Sequence, residues 1–221
     1  MFKASAATQS EGVVSAYLAQ RTLWMGQPAE ARVLADSAWD FARVMPTERD
    51  FIRAARLQGQ AALGLDDFPA AEEWLNHALT RPRAVNLVDE ELPALTGLAD
   101  LRRRQGDLKA AQELLDDVWE PAQRGLYPLF HADALNVLAR IELDAGNHEA
   151  AVAAATKAYR LGWCDGPPYA YHWGLEAAKK HLAALVAPEP TDLPPFDESH
   201  FEPMPQTEID PQDKEQEENA I

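Results

Sequence analysis

The sequence predicts an all-α fold: a solenoid of four helix–turn–helix pairs closed by a C-terminal capping helix. Three observations carry this expectation. A turn residue followed by alanines recurs every 40 residues. Apolar residues on either side of it recur at helical spacing. A proline- and acid-rich composition then marks where the pattern stops.

The recurring stretch reads GQPAEA at Gly26–Ala31, DDFPAA at Asp66–Ala71, GDLKAA at Gly106–Ala111 and GNHEAA at Gly146–Ala151. Its last residue is Ala31, Ala71, Ala111 or Ala151. Seven positions on stand Ala38, Ala78, Val118 and Ala158, followed by Trp39, Leu79, Trp119 and Tyr159. Several columns holding one register over four copies are the mark of a repeat array, whose units bury their faces only by stacking.

Each copy reads as two helices about a turn. In the third, Leu92, Leu95, Leu98 and Ala99 share one face before Gly106, which suits a left-handed helix end. Asp107 is placed to cap the next helix, where Ala111, Leu114, Leu115 and Val118 repeat the pattern. Gly146-Asn147 plays the same part in copy four. So does Gly26-Gln27-Pro28 in copy one, with proline suited to a first helical turn. Copy two has Asp66-Asp67 in place of the glycine, with Gly64 slightly earlier, and a different turn is expected there. The small residues have a packing reason: two antiparallel helices on a short turn cross closely, and a bulky side chain at the crossing would hold them apart. Trp39 and Trp119, one column of the repeat, read as parts of a core ladder.

The turn pattern resembles the tetratricopeptide (TPR) repeat, over about Gly12 to Leu161. The small residues Ala19, Gly59, Ala99 and Ala139 in the first helices resemble it too. Such repeats are usually ~34 residues long, whereas ~40 is the length of HEAT-type repeats; the turn chemistry favours the former. The extra residues are expected in the links TRPRAVNLVDEE and PAQRGLYPLF. The resemblance implies a right-handed solenoid whose first helices line a concave face that binds proteins. Longer copies of this kind also resemble the repeat regions of bacterial signal-transducing NTPases and regulators, as do DGPPYAYHWGLEAAKKHL and LPPFDESHFEPMP.

Three segments are therefore expected: an N-terminal extension over 1–11, the array with its cap over 12–186, and a tail over 187–221. The cap is a helix from about Pro168 to Val186 after the aromatic stretch with Trp163, Tyr169, Tyr171 and Trp173. The same stretch leaves open an aromatic ligand pocket beside Cys164 and His172. The tail carries 11 acidic residues and one lysine, and seven of the chain's 16 prolines. Such a composition buries too little apolar surface to order itself, so disorder is expected. It reads as a solubilising tail or, through Phe196, Phe201 and Met204, as a short docking motif.

Composition narrows the partners. A net charge of −16 argues against nucleic acid, whose phosphates need a cationic surface. No stretch approaches the ~20 apolar residues that cross a bilayer, and no signal-peptide core is visible at the N-terminus. With a single cysteine, Cys164, the sequence points to a soluble cytoplasmic protein. Phosphate-loop, dinucleotide and nucleophile-elbow motifs are missing, and no histidine has zinc-site spacing. No cofactor, metal or catalysis is expected.

The functional candidates are one stripe along the first helices. It holds Arg53, Arg56, Gln60 and Leu63 in copy two, Pro93, Thr96, Asp100 and Arg103 in copy three, and Asp133, Asn136, Arg140 and Leu143 in copy four. These i, i+3, i+7, i+10 sets share a face. Four arginines against two aspartates would suit an acidic peptide or a chain-end carboxylate, through two-pronged hydrogen bonds from Arg53, Arg56, Arg103 and Arg140. Alternatively, these arginines pair with neighbouring acids and only keep the face wet. The chain's own acidic tail is a further candidate occupant. The function expected is that of an interaction scaffold or adaptor; the alternative is the regulatory C-terminal part of a larger NTPase or transcription regulator.

Overall fold

The computed structural model describes residues 2–44, 47–85, 87–125 and 127–200. Nine α-helices and no strand occur among them: α1 (Phe2–Trp24), α2 (Pro28–Val44), α3 (Glu48–Gly64), α4 (Phe68–Val85), α5 (Val88–Arg104), α6 (Leu108–Arg124), α7 (Pro128–Asp144), α8 (His148–Trp163) and α9 (His172–Ala184). The sequence period is thus a structural one. The even-numbered helices of the four copies begin at 28, 68, 108 and 148, and α3, α5 and α7 begin at 48, 88 and 128.

The turn explains why the register holds. Gly26, Asp66, Gly106 and Gly146 all have positive φ, between 58° and 82°. Each turn makes the same two backbone bonds. Gly106 N–H donates to Arg103 O (3.0 Å) and Asp107 N–H to Arg102 O (2.9 Å), and Asp66 and Asp67 donate likewise to Leu63 and Ala62. These bonds satisfy carbonyls that a helix end leaves free. The different turn expected in copy two is therefore not found. Asp66 adopts the glycine conformation itself, at a cost of roughly 1 kcal/mol, and its carboxylate meets Arg104 at 3.1 Å. Asp107 caps α6 as expected, accepting from Ala110 N–H at 3.0 Å. Asn147 makes no such cap and donates instead to Glu142.

Packing follows the small-residue columns. Ala31, Ala71, Ala111 and Ala151 are fully buried, as are Ala19 and Ala99. At Gly59 a β-carbon would lie 2.6 Å from Leu75 Cγ, so only glycine lets α3 and α4 approach this closely. Apolar clusters form one after another rather than around a single centre. One joins α1, α2 and α3, two join α3 and α4 with α5, one joins α5, α6 and α7, and one joins α7, α8 and α9. The tryptophan column recurs as well: Trp39 meets Phe51 at 5.2 Å, and 80 residues on Trp119 meets His131 at the same distance. Odd-numbered helices pack on one another in succession, α1 on α3 through α7 on α9, while even-numbered ones do so at most marginally. The odd-numbered helices therefore line the concave side.

Three expectations change. The extra residues of each copy lie mostly in longer helices, not in the links, since α4 runs to Val85 and α5 starts at Val88. The segment 1–11 is no separate extension in the described residues, because α1 is continuous from Phe2. Residues 187–197, expected as the start of a disordered tail, lie extended along α8. Tyr159 donates to Glu189 (3.0 Å), Arg160 to Asp192 (2.7 Å) and Trp163 Nε1 to Pro194 O (2.8 Å), while Leu193 packs on the last apolar cluster. Their backbone and ring contacts offset the chain entropy that composition alone suggests would win. The tail beyond 200, with Phe201 and Met204, lies outside the described residues. No helix among the described residues is long and apolar enough to cross a membrane.

Candidate functional site

The odd-numbered helices enclose a groove of about 1070 Å³. Tyr17, Gln20 and Trp24 of α1 form one wall; Arg53, Arg56, Gln60 and Leu63 of α3 and Pro93, Thr96 and Asp100 of α5 form the floor. Asp133, Asn136 and Arg140 of α7 lead to the far wall, built by Tyr171, Trp173 and His181 at and within α9. The stripe expected from the sequence is thus largely brought together. Arg104 faces the groove where Arg103 was expected, and Arg103 instead bridges Asp100 (2.8 Å) and Asp144 (2.7 Å). Leu143 is exposed at the end of α7.

The array curves far enough for its first helix to meet its last. Trp24 stacks on Trp173 with ring centroids 5.7 Å apart and meets Tyr171 edge-on at 6.4 Å. This aromatic clasp spans one end of the groove.

Two charge centres lie along the floor. Glu90, 3% exposed, accepts from Arg53 Nε (2.8 Å) and Arg56 Nε (3.1 Å). Arg56 also donates to Gln20 and Gln60, both at 2.8 Å, and Arg53 lies over the Tyr17 ring at 5.5 Å. Asp100, 6% exposed, receives Arg103, Arg104 (3.2 Å) and Arg140 (3.3 Å). Burial alone would raise the Asp100 carboxyl, but Arg140, Arg103 and Arg104 hold it below the usual carboxylate range. Thr96 turns its hydroxyl back to Leu92 O at 2.8 Å. All four arginines expected to anchor a ligand are therefore bonded to carboxylates of the chain itself. An acidic ligand would have to displace Glu90 or Asp100.

The α7–α9 end is built differently. Gly174 leaves room for the Tyr171 ring, since a β-carbon there would sit 2.5 Å from a ring carbon. The Tyr171 hydroxyl donates to both oxygens of Asp133, at 3.1 and 3.0 Å. Burial pushes the Asp133 carboxyl up to about 7, against the pull of the Tyr171 hydrogen bond and of Arg56. Asn136 donates to Gly174 O at 3.0 Å, leaving its buried Oδ1 without a partner, as is Arg140 Nε. Burial lowers the Arg140 guanidinium and, helped by the charges of Arg140 and Arg103, takes His181 down to about 4.

The proposed pocket at Cys164 and His172 has no such construction. The exposed Cys164 thiol points to Leu161 O at 3.5 Å, and His172 stands edge-on to Trp173 at 4.8 Å. No cluster of metal-ligating side chains occurs among the described residues. The stripe missed Glu90, Trp24, Tyr171 and Trp173. Glu90 lies one turn before Pro93 on the same face, so extending the stripe would have found it. The aromatics come from the two ends of the array, which no repeat register relates. No family model and no curated protein matches the sequence.

Proposed function

We propose that the chain is a protein-interaction scaffold or adaptor that receives an extended segment of a partner in its groove and performs no catalysis of its own. One observation carries this reading: a groove of about 1070 Å³ lined by side chains from or beside five successive odd-numbered helices. That volume is at the upper end of small-molecule pockets, and its polar floor and aromatic end wall suit a peptide better than one compact apolar ligand. The resemblance of the 40-residue pattern to tetratricopeptide repeats supports the same reading.

The test is peptide selection by display against the folded protein, with affinities measured for wild type and Thr96→Trp. Thr96 is in mid-groove, so an indole there would obstruct the path of a segment lying along it. Selected peptides should lose at least about tenfold in affinity on Thr96→Trp, and nothing on Arg160→Ala at the other side of the array. Peptides indifferent to Thr96→Trp would overturn the proposal.

A second reading, the regulatory portion of a larger NTPase or transcription regulator, is favoured by one feature. Val14 and Leu18, four residues apart on α1, are 55% and 42% exposed on an outer helix against which further helices could stack. An ATPase coding region directly upstream would support it, and an unrelated neighbour would count against it.

A further inference from the structure

Asp133, part-buried, differs from the buried acids of the groove, Glu90 and Asp100. Glu90 and Asp100 each face two or three guanidinium groups within 3.3 Å, whereas Asp133 has only the Tyr171 hydroxyl. The Tyr171 ring meets Trp24 edge-on, Trp24 stacks on Trp173, and all of them line the groove with Asp133; aromatic faces attract cations. A carboxylate with no ion-pair partner, in a groove it shares with an aromatic cluster, is the complement of a positively charged group.

We infer that Asp133, with Trp24, Tyr171 and Trp173, forms a subsite for a lysine side chain of the partner segment. The inference rests on the groove reading above and names what the groove selects. It reverses the expectation of an acidic ligand, because the arginines that suggested one are neutralised within the chain. Lysine fits better than arginine. Both Asp133 oxygens already share the Tyr171 hydrogen bond, so no free two-pronged edge is left for a guanidinium, while an ammonium needs only one oxygen and a ring face. The net charge of −16 would also draw a basic partner from a distance.

Binding should be coupled to proton release. Burial holds the unliganded carboxyl at about 7 against the pull of Tyr171 and Arg56, and an ammonium at hydrogen-bond distance would bring it down. The other charged or titratable groups facing it are Tyr171 at the start of α9 and Arg56 from α3. The same groove is lined by Tyr17 of α1, Arg53 of α3, Asp89, Glu90, Asp100 and Arg104 of α5, Arg140 of α7, and His172, Glu176, Lys180 and His181 of α9. Lysine affinity should therefore be flat above about pH 7 and fall by about tenfold per pH unit below it.

The experiment uses short labelled peptide pools, each random except for one fixed lysine, acetyl-lysine, arginine, glutamate or leucine. Binding is read by fluorescence anisotropy on the full chain, with folding checked by circular dichroism. The lysine pool should bind best, exceeding the acetyl-lysine pool by about tenfold or more. Asp133→Asn should erase that difference and its pH dependence, and Tyr171→Phe should move the pH at which lysine affinity falls upwards, because the hydroxyl that lowers the Asp133 carboxyl is gone. Pools that bind alike whatever the fixed residue, yet fail on Thr96→Trp, would overturn the lysine subsite and leave the groove reading intact. A preference for glutamate would do the same. No binding by any pool would overturn both.

Discussion

In the middle of the groove Glu90 and Asp100 each sit among arginines, and at the α7–α9 end Asp133 meets a tyrosine hydroxyl whose ring in turn meets Trp24. The first arrangement is nearly complete: apart from Arg140 Nε, donors and acceptors on adjacent helices use each other up. It ties α3 to α5 and α5 to α7 across the concave face. The second is incomplete, since the acid lacks an ion-pair partner and the nearby Asn136 keeps its buried Oδ1 without a partner. Buried polar groups left unsatisfied weaken a fold and are concentrated where a protein acts on something else. Exposed arginines in a sequence suggested the opposite division of labour.

The largest expected effect comes from breaking the completed centre. Glu90→Gln removes the charge that buried Arg56 and part-buried Arg53 share and should cost about 3 kcal/mol in denaturant unfolding. Replacing both Glu90 and Arg56 with leucine and methionine should recover much of that loss, because the remaining Arg53 can reach water. No recovery in the double variant would mean that the centre does more than balance charge, and the contrast with Asp133 would weaken.

Next in size is an acid-side effect at the incomplete end. His181 is kept neutral by burial, with Arg140 and Arg103 nearby, and its pKa is about 4 against 6.5 for a free histidine. A group depressed in the fold supports the native state above its unfolded pKa. That support is lost as pH falls from about 6.5 towards 4. Stability should drop by about 2 kcal/mol over that window, the figure being held down by the ring's partial exposure, and His181→Gln should flatten the drop in urea midpoints taken from pH 7 to pH 4. An unchanged slope would show that His181 titrates freely.

How much of this could be read from the sequence follows from where the interactions lie. The helices, their turns and the small-residue crossings are local and repeat every 40 residues, so Ala31, Ala71, Ala111 and Ala151 announced themselves. Asp66 was misjudged because composition favours glycine at that position, while the turn's two backbone bonds hold whichever residue is there. The groove stripe was legible for the same periodic reason. What each stripe residue bonds to was not, since Arg56 finds Glu90 and Gln20 at separations of 34 and 36 residues, on two different helices. The clasp of Trp24 on Trp173 was beyond any register, because it depends on the summed curvature of the whole array. The strap at 187–197 was lost to its composition, which hides three side-chain hydrogen bonds to α8.

The smallest effect concerns Asp133 without ligand. Its carboxyl is raised in the fold to about 7, so it contributes stability below the unfolded value near 4, and that contribution is lost as pH rises through about 7. This slope runs opposite to that of His181, and the two partly cancel between about pH 4 and 6.5. Above pH 6.5 Asp133 acts alone. Asp133→Asn keeps an acceptor for the Tyr171 hydroxyl and removes the charge. The variant should therefore match wild type at pH 4 and exceed it by about 1–2 kcal/mol at pH 8, the figure being held down by groove water beside the carboxylate. Urea unfolding of both proteins at the two pH values measures this directly. A variant less stable than wild type at pH 8 would mean that the ionised carboxylate is already paired within the fold, and Asp133 would then belong with Glu90 and Asp100 as a structural charge.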